Sequence, residues 1–261
     1  MTCGMLVSLK RLGEERAVAA SLVAACLAGL AGGPGIAQPL QLQRARLMLG
    51  SAGQTVSLPV ARFRIDDGRA FVLDRRTPRA LLRFDDNPEV WVLAESPGPR
   101  GDEIYFNDTG EPILRLTRMG GVTVFTPRRP QGAAATTSGG AAALRLTGIG
   151  AAGLSQKLAR CGAHVSYVVG RSIRFVAFAA DPVSDGLIVD TAGVAEKAIE
   201  LVARRSGGQL LLAHLRTVDI LRGAHPGVRL NGAVLTISVV PSLLYVGRPS
   251  SAAIMRAIEA R

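Results

Sequence analysis

The chain has 261 residues, 48% hydrophobic and 20% charged, a composition that excludes a disordered protein and supplies a sizeable core. Its formal charge of +11, from 31 Lys and Arg against 20 Asp and Glu, invites an anionic partner such as an envelope component or an anionic polymer. Only Lys10, Lys157 and Lys197 are lysines, and the basic stretches "RLTR" and "PRRP" are too short to build a surface that reads a nucleic-acid sequence.

Lys10, Arg11 and Arg16 precede the apolar run "AVAASLVAACLAGLA", which gives way to "GGPG" and "IAQP". That order is a secretory signal peptide over residues 1–37 with cleavage before Gln38. The expectation is a periplasmic protein of a Gram-negative bacterium. The apolar run falls short of the roughly 20 residues of a bilayer-spanning helix, so no transmembrane anchor is expected after cleavage. An alternative rests on "VAAC", Val23 to Cys26, which has the form of a lipoprotein box and would put a lipid on Cys26. Against it, the residues that follow are apolar, where a lipoprotein continues into a polar tether. Cleavage removes Cys3 and Cys26 and leaves Cys161 alone, so no intramolecular disulfide forms. "CGAH" sets His164 near Cys161 in sequence, but a buried thiol without a chemical role is the expectation.

Residues 38–126 read as an antiparallel β meander, barrel- or sandwich-like. Apolar and polar residues alternate in "VSLPVARFRI", "AFVL", "ALLRF", "EVWVLAE", "DEIYF", "ILRLT" and "VTVFT", with turn residues between them. "LLRFDDNPEVWVL" and "ILRLTRMGGVTVF" superpose with Arg83 on Arg115 and Trp91 on Thr123, which raises an internal repeat or shared hairpin chemistry. Trp91 is expected on one strand face with Glu89 and Leu93, opposite Val90 and Val92. The stretch from Trp91 to Leu116 carries the candidate ligand-binding residues: Trp91, Asp102, Glu103, Tyr105 and Asp108. Asp102, Glu103, Asp108 and Glu111 have oxygen ligands for a hard cation, but their spacing matches no calcium loop. No metal and no cofactor are expected.

"PRRPQGAAATTSGGAAA" has no periodicity, and residues 127–143 read as a linker or long loop. Residues 144–261 then read as a smaller α+β domain, so the fold class is α+β. It should hold a helix at "AGLSQKLARCG", a strand at "IRFVAFA", a loop at "ADPVSDG" and a helix from Thr191 through "TAGVAEKAIELVARR". "QLLLAHLRTVDILRG" begins helical and becomes a strand. "VRLNGAVLTISVV" is a hairpin with Asn231 and Gly232 as the left-handed pair of a type I′ turn. Pro249 and the serines open a final helix carrying Ile254 and Ile258.

The familiar catalytic arrangements fail one by one. No nucleophile elbow G-x-S-x-G occurs, and Ser250, His214 and Asp219 make a triad only on paper. "GIGAAG", Gly148 to Gly153, lacks the strand-helix-strand frame and downstream acid of a dinucleotide site. The catalytic residues are therefore unknown. The string from Leu81 to Pro127, together with "GRPSSAAIMRAI", resembles a family of exported alphaproteobacterial proteins known only as a domain of unknown function. The resemblance implies an envelope protein and brings no activity with it. Three functions remain: a non-enzymatic binding or envelope-associated module, towards which the missing motifs lean; a hydrolase acting on an envelope polymer with its site between the two halves; and a polyanion binder that uses the arginine excess, whose affinity would fall steeply as salt rises. The oligomeric state has no signature in the sequence.

Overall fold

The computed structural model describes residues 58–178, 181–182 and 184–260, all within one compact unit. The expected signal peptide, its cleavage point and Cys26 lie outside the described residues. Eight strands run up and down: β1 (Val60–Ile65), β2 (Ala70–Asp74), β3 (Ala80–Phe84), β4 (Trp91–Pro97), β5 (Glu103–Phe106), β6 (Pro112–Leu116), β7 (Val122–Thr126) and β8 (Arg129–Gly140). Each pairs antiparallel with the next, and β8 pairs with β1 to close a barrel.

The period-2 pattern decides which way the side chains face. In β1, Phe63 and Ile65 point inward while Arg62 and Arg64 face solvent. Across the strands Phe63 stacks on Phe71 at 5.1 Å, Phe71 lies 5.7 Å from Phe84, and Phe84 meets Trp91 edge-on at 5.9 Å. An eight-stranded barrel is just wide enough for side chains to fill. Here Leu73, Leu82, Leu93, Tyr105, Leu114 and Val124 complete that filling, so the interior is a core.

The expected linker is corrected, because residues 129–140 form the closing strand. Thr126 pairs with Arg129, leaving Pro127 and Arg128 as a two-residue turn. β8 pairs with β7 through its first half and with β1 through its second. Its inward positions are Ala133 and Ala135, since larger neighbours already occupy the barrel. Small residues erase the alternation that marks a strand in sequence. Gly132, at φ +91, lies near the register irregularity between β7 and β8, and a Cβ there would meet Thr123 Cγ2 at 2.5 Å. Its glycine is a requirement of close strand approach, not of flexibility.

The repeat does not survive the strand register. Leu82 pairs with Trp91, whereas Leu114 pairs with Val124 and Arg115 with Thr123. The slip of one residue turns Trp91 towards the interior cluster while Thr123 faces away from it.

The second half contains α1 (Gly150–Val169), β9 (Arg174–Ala177), α2 (Asp185–Ala203), the single turn α3 (Gly208–Leu211), β10 (Thr217–Arg222), β11 (Gly227–Asn231), β12 (Val234–Val239) and α4 (Ser251–Glu259). Its sheet runs β11-β12-β10-β9, with β10 parallel to both neighbours and β11 antiparallel to β12. α1 and α2 are longer than expected. α2 begins at Asp185 and buries Leu187, Ile188, Val194, Ile199 and Val202 against the sheet and α1. Asn231 pairs with Val234, so the hairpin turn is Gly232–Ala233. Only Gly232 has a positive φ, the pattern of a II′ rather than the expected I′ turn.

A third apolar cluster joins the halves. Val60, Val72, Leu81 and Val90, on the outer face of the barrel, pack with Leu144 and Tyr245. This explains why β2 is buried at every position from Phe71 to Asp74: one face looks into the barrel and the other is covered by the second half.

Candidate functional site

The five candidate residues do not form one site. Trp91 and Leu93 pack on the barrel interior, and Val90 and Val92 join the opposite cluster, as alternation requires. Glu89 departs from that expectation, because it precedes β4 and turns to the second half. Tyr105 is buried, and its hydroxyl donates to Glu103 at 2.9 Å and to Glu95 at 3.3 Å. Burial, then the two carboxylates, push the Tyr105 hydroxyl far above its ordinary range. Asp102 accepts from Arg115, which holds its carboxyl below the usual range. Asp108 lies elsewhere, bonded to Ser250, and Glu111 accepts from Asn107 at 3.0 Å. Among the described residues no three His, Cys, Asp or Glu side chains gather as a metal-binding group.

Several other sequence features are absorbed by the fold. The backbone N–H groups of Ile149 and Gly150, in "GIGAAG" at the start of α1, donate to Asp185 Oδ2 at 2.8 and 2.7 Å. A carboxylate of the protein itself occupies the position a phosphate would take at this helix N-terminus. Cys161 is buried, and its thiol donates to Glu196 at 3.1 Å. Burial, reinforced by Glu196, pushes the thiol up to about 12. It stays protonated and poorly nucleophilic at neutral pH. Ser250 bonds Asp108 in place of the paper triad with His214 and Asp219.

The convergence that sequence reasoning missed lies in the seam between the halves. Pro249 biases the residue before it to extended backbone, and Arg248, at φ −133 and ψ 153, follows that bias. Its side chain enters the seam, where the residue is 5% exposed. There Nε bonds Asp190 on α2, one terminal nitrogen donates to Val90 O at 2.8 Å, and the other donates to Pro249 O at 3.2 Å. Glu89 lies 4.0 Å from the guanidinium and accepts from Ser251 N at 2.9 Å and Ser251 Oγ at 2.6 Å. Burial raises the Glu89 and Asp190 carboxyls despite the nearby arginine. Ser250 accepts from Ala253 N at 3.1 Å as the N-cap of α4 and donates to Asp108 at 2.6 Å.

Beside this polar seam runs an apolar groove of about 790 Å³. Leu81 and the connector residues Leu144 and Leu146 form one side. The turn Pro241–Gly247 forms the other, presenting Leu243 and Leu244 at 47% and 54% exposure. Leu244 sits at φ 51 and ψ −132, a region that a β-carbon makes costly. Arg76, Arg79 and Arg145 rim the groove, and among the described residues no acidic side chain lines it. Asp74 anchors this wall: burial alone would raise its carboxyl, but the Arg76 side chain and the N–H groups of Arg76 and Leu144 together hold it low. A second cavity of about 390 Å³ shares Arg79 and Val246 with the groove and reaches Asp108, Arg248 and Ser250. The signal for the groove was "PSLLYVGRP", consecutive leucines between a proline and a glycine outside any periodic element.

No curated protein and no solved structure matches the chain. A family model matches residues 43–258, more than half of the sequence, and the chain thereby belongs to the family described as Domain of unknown function (DUF4908).

Proposed function

We propose that the chain is a non-enzymatic binding module of the cell envelope, exported by its first 37 residues, and that it takes its ligand in the groove beside the seam. The observation that carries this reading is the groove itself: about 790 Å³ of largely apolar space with exposed Leu243 and Leu244 held out on a strained turn. That volume falls within the roughly 300–1,000 Å³ of small-molecule clefts. The arginine excess of the chain reaches the groove rim, which suits an anionic component of the envelope. Export is supported by the basic, apolar and small-residue order before Gln38.

The alternative, a hydrolase of an envelope polymer, draws on the gathering of Glu89, Asp108, Asp190, Ser250 and Ser251 in the seam. Each of these groups already has a partner in the fold, through Arg248, Ser251 or the cap of α4. The binding reading uses side chains without such partners.

The test begins with the full gene in a Gram-negative host and the intact mass of the protein from periplasmic and membrane fractions. A periplasmic species beginning at Gln38 supports export, and a membrane species with lipid on Cys26 supports the tethered alternative. Uncleaved cytosolic protein overturns the envelope assignment. Native mass spectrometry of the same material should find small molecules whose retention is lost in Leu243→Asp/Leu244→Asp and kept in Leu210→Asp, an exposed control on α3. Turnover of an envelope polymer that Asp108→Asn or Ser250→Ala abolishes would replace the binding module with the hydrolase.

A further inference from the structure

We infer that the ligand of this groove is a single-chain anionic amphiphile, its hydrocarbon chain against Leu243 and Leu244 and its acidic head at Arg79 and Arg145. The inference rests on the binding reading above and adds the chemical class. Two properties of the groove point the same way. Its walls are largely hydrocarbon, with Leu81, Leu144, Leu146, Leu243, Leu244 and Val246, and a chain laid along them is removed from water on the scale of tens of calories per Å². Its rim, among the described residues, carries one sign of charge only. Arg76 is engaged with Asp74, whereas Arg79 and Arg145 are exposed and have no salt-bridge partner among the described residues. Two guanidiniums at the mouth of an apolar cleft complement a carboxylate or phosphate joined to an acyl chain.

The other occupants bring the wrong charge. A second copy seated by two-fold symmetry would set these arginines against themselves. Residues 38–57 are apolar enough, with Leu40, Leu42, Leu47 and Leu49, but they carry Arg44 and Arg46 and no acid. The strained turn also fits a ligand site. Leu244 at φ 51 is maintained by its surroundings, and the side chain so held points where a ligand needs it rather than into the core.

The probe is 11-(dansylamino)undecanoic acid, followed by its fluorescence on the protein as recovered from its host, with dodecanoate, dodecanol and dodecyltrimethylammonium as competitors. Dodecanoate should displace the probe at least about tenfold more effectively than dodecanol, and the cation should be weakest, because two ion pairs of this exposure are worth about a factor of ten. Arg79→Glu/Arg145→Glu should weaken the probe about tenfold or more, and added salt should do the same in the parent. Leu244→Gly relaxes the positive φ and removes the side chain, so it should raise Tm while weakening the probe, a separation that a merely structural leucine would not give. Equal competition by all three amphiphiles, or unchanged affinity in the arginine variant, overturns the anionic class and leaves the binding groove standing. Absence of probe binding together with retained small molecules in native mass spectra overturns the amphiphile but not the binding module. A dimer that falls apart in Leu243→Asp/Leu244→Asp would put a second copy in the groove and overturn the inference.

Discussion

Replacing Arg248 with Met tests whether the seam is held by one buried cation. The guanidinium serves Asp190, Val90 O and Pro249 O directly and Glu89 at 4.0 Å, and its side chain is 1% exposed. Methionine keeps most of the apolar volume and removes the charge. Glu89, with a side chain 2% exposed, and Asp190, 18% exposed, then face each other's field without a counter-ion. Breaking a buried pair in this way costs about 3–5 kcal/mol, a large fraction of the roughly 5–15 kcal/mol that stabilises a domain. At about 2–4 °C per kcal/mol for a chain of this size, Tm should fall by roughly 6–20 °C. The pH dependence follows from the raised carboxyls. A group whose pKa is higher folded than unfolded favours the fold below its unfolded value and loses that contribution as pH rises through the folded one. Removing Arg248 raises both carboxyls further, so the deficit should be full near pH 7 and shrink below about pH 4, where both acids are protonated in either state. Glu89→Gln/Asp190→Asn in the Arg248→Met background should recover most of the loss at neutral pH. Urea and thermal unfolding at the two pH values measure all of this. A loss under about 1 kcal/mol, or one that is the same at both pH values, would refute the view that Arg248 acts as a buried counter-ion.

Gly132→Ala should destabilise by about 1–3 kcal/mol in urea unfolding, because the new methyl meets Thr123 at 2.5 Å on a backbone at φ +91; a neutral result would return residues 127–143 to a flexible connection. Ser250→Ala removes the cap on Ala253 N and the bond to Asp108, and should cost about 1–2 kcal/mol. With Cys3 and Cys26 replaced by Ser, a thiol reagent at about pH 8 should leave Cys161 unmodified until denaturant exposes it, since its pKa is pushed up to about 12 and it is buried. Rapid labelling of the folded protein would contradict the bonded, protonated thiol.

Local physics was enough for most of the fold. Period-2 alternation in β1 to β7, the turn residues between them, the amphipathic run of α2 and the Pro-Ser-Ser opening of α4 are short-range patterns, and each element forms where the sequence puts it, except that α2 starts six residues earlier than the run from Thr191, at Asp185. The faces of Trp91, Leu93, Val90 and Val92 followed from alternation alone. What only the tertiary structure decided depends on neighbours distant in sequence. β8 is a strand because β1 and β7 offer it unpaired edges and because a full barrel leaves room for nothing larger than Ala133 and Ala135. Asp102 is committed to Arg115, and Tyr105 to Glu95, by neighbouring strands, which no linear spacing reveals, whereas the Tyr105 bond to Glu103 is an i,i+2 contact on one face of β5. Arg248 meets Val90 across 158 residues, and the groove exists only where Leu81, Leu144 and Leu244 are brought together. Burial and charge pairing are properties of the assembled surface, so the sequence determines which elements form, and the packing between them determines where a ligand has room.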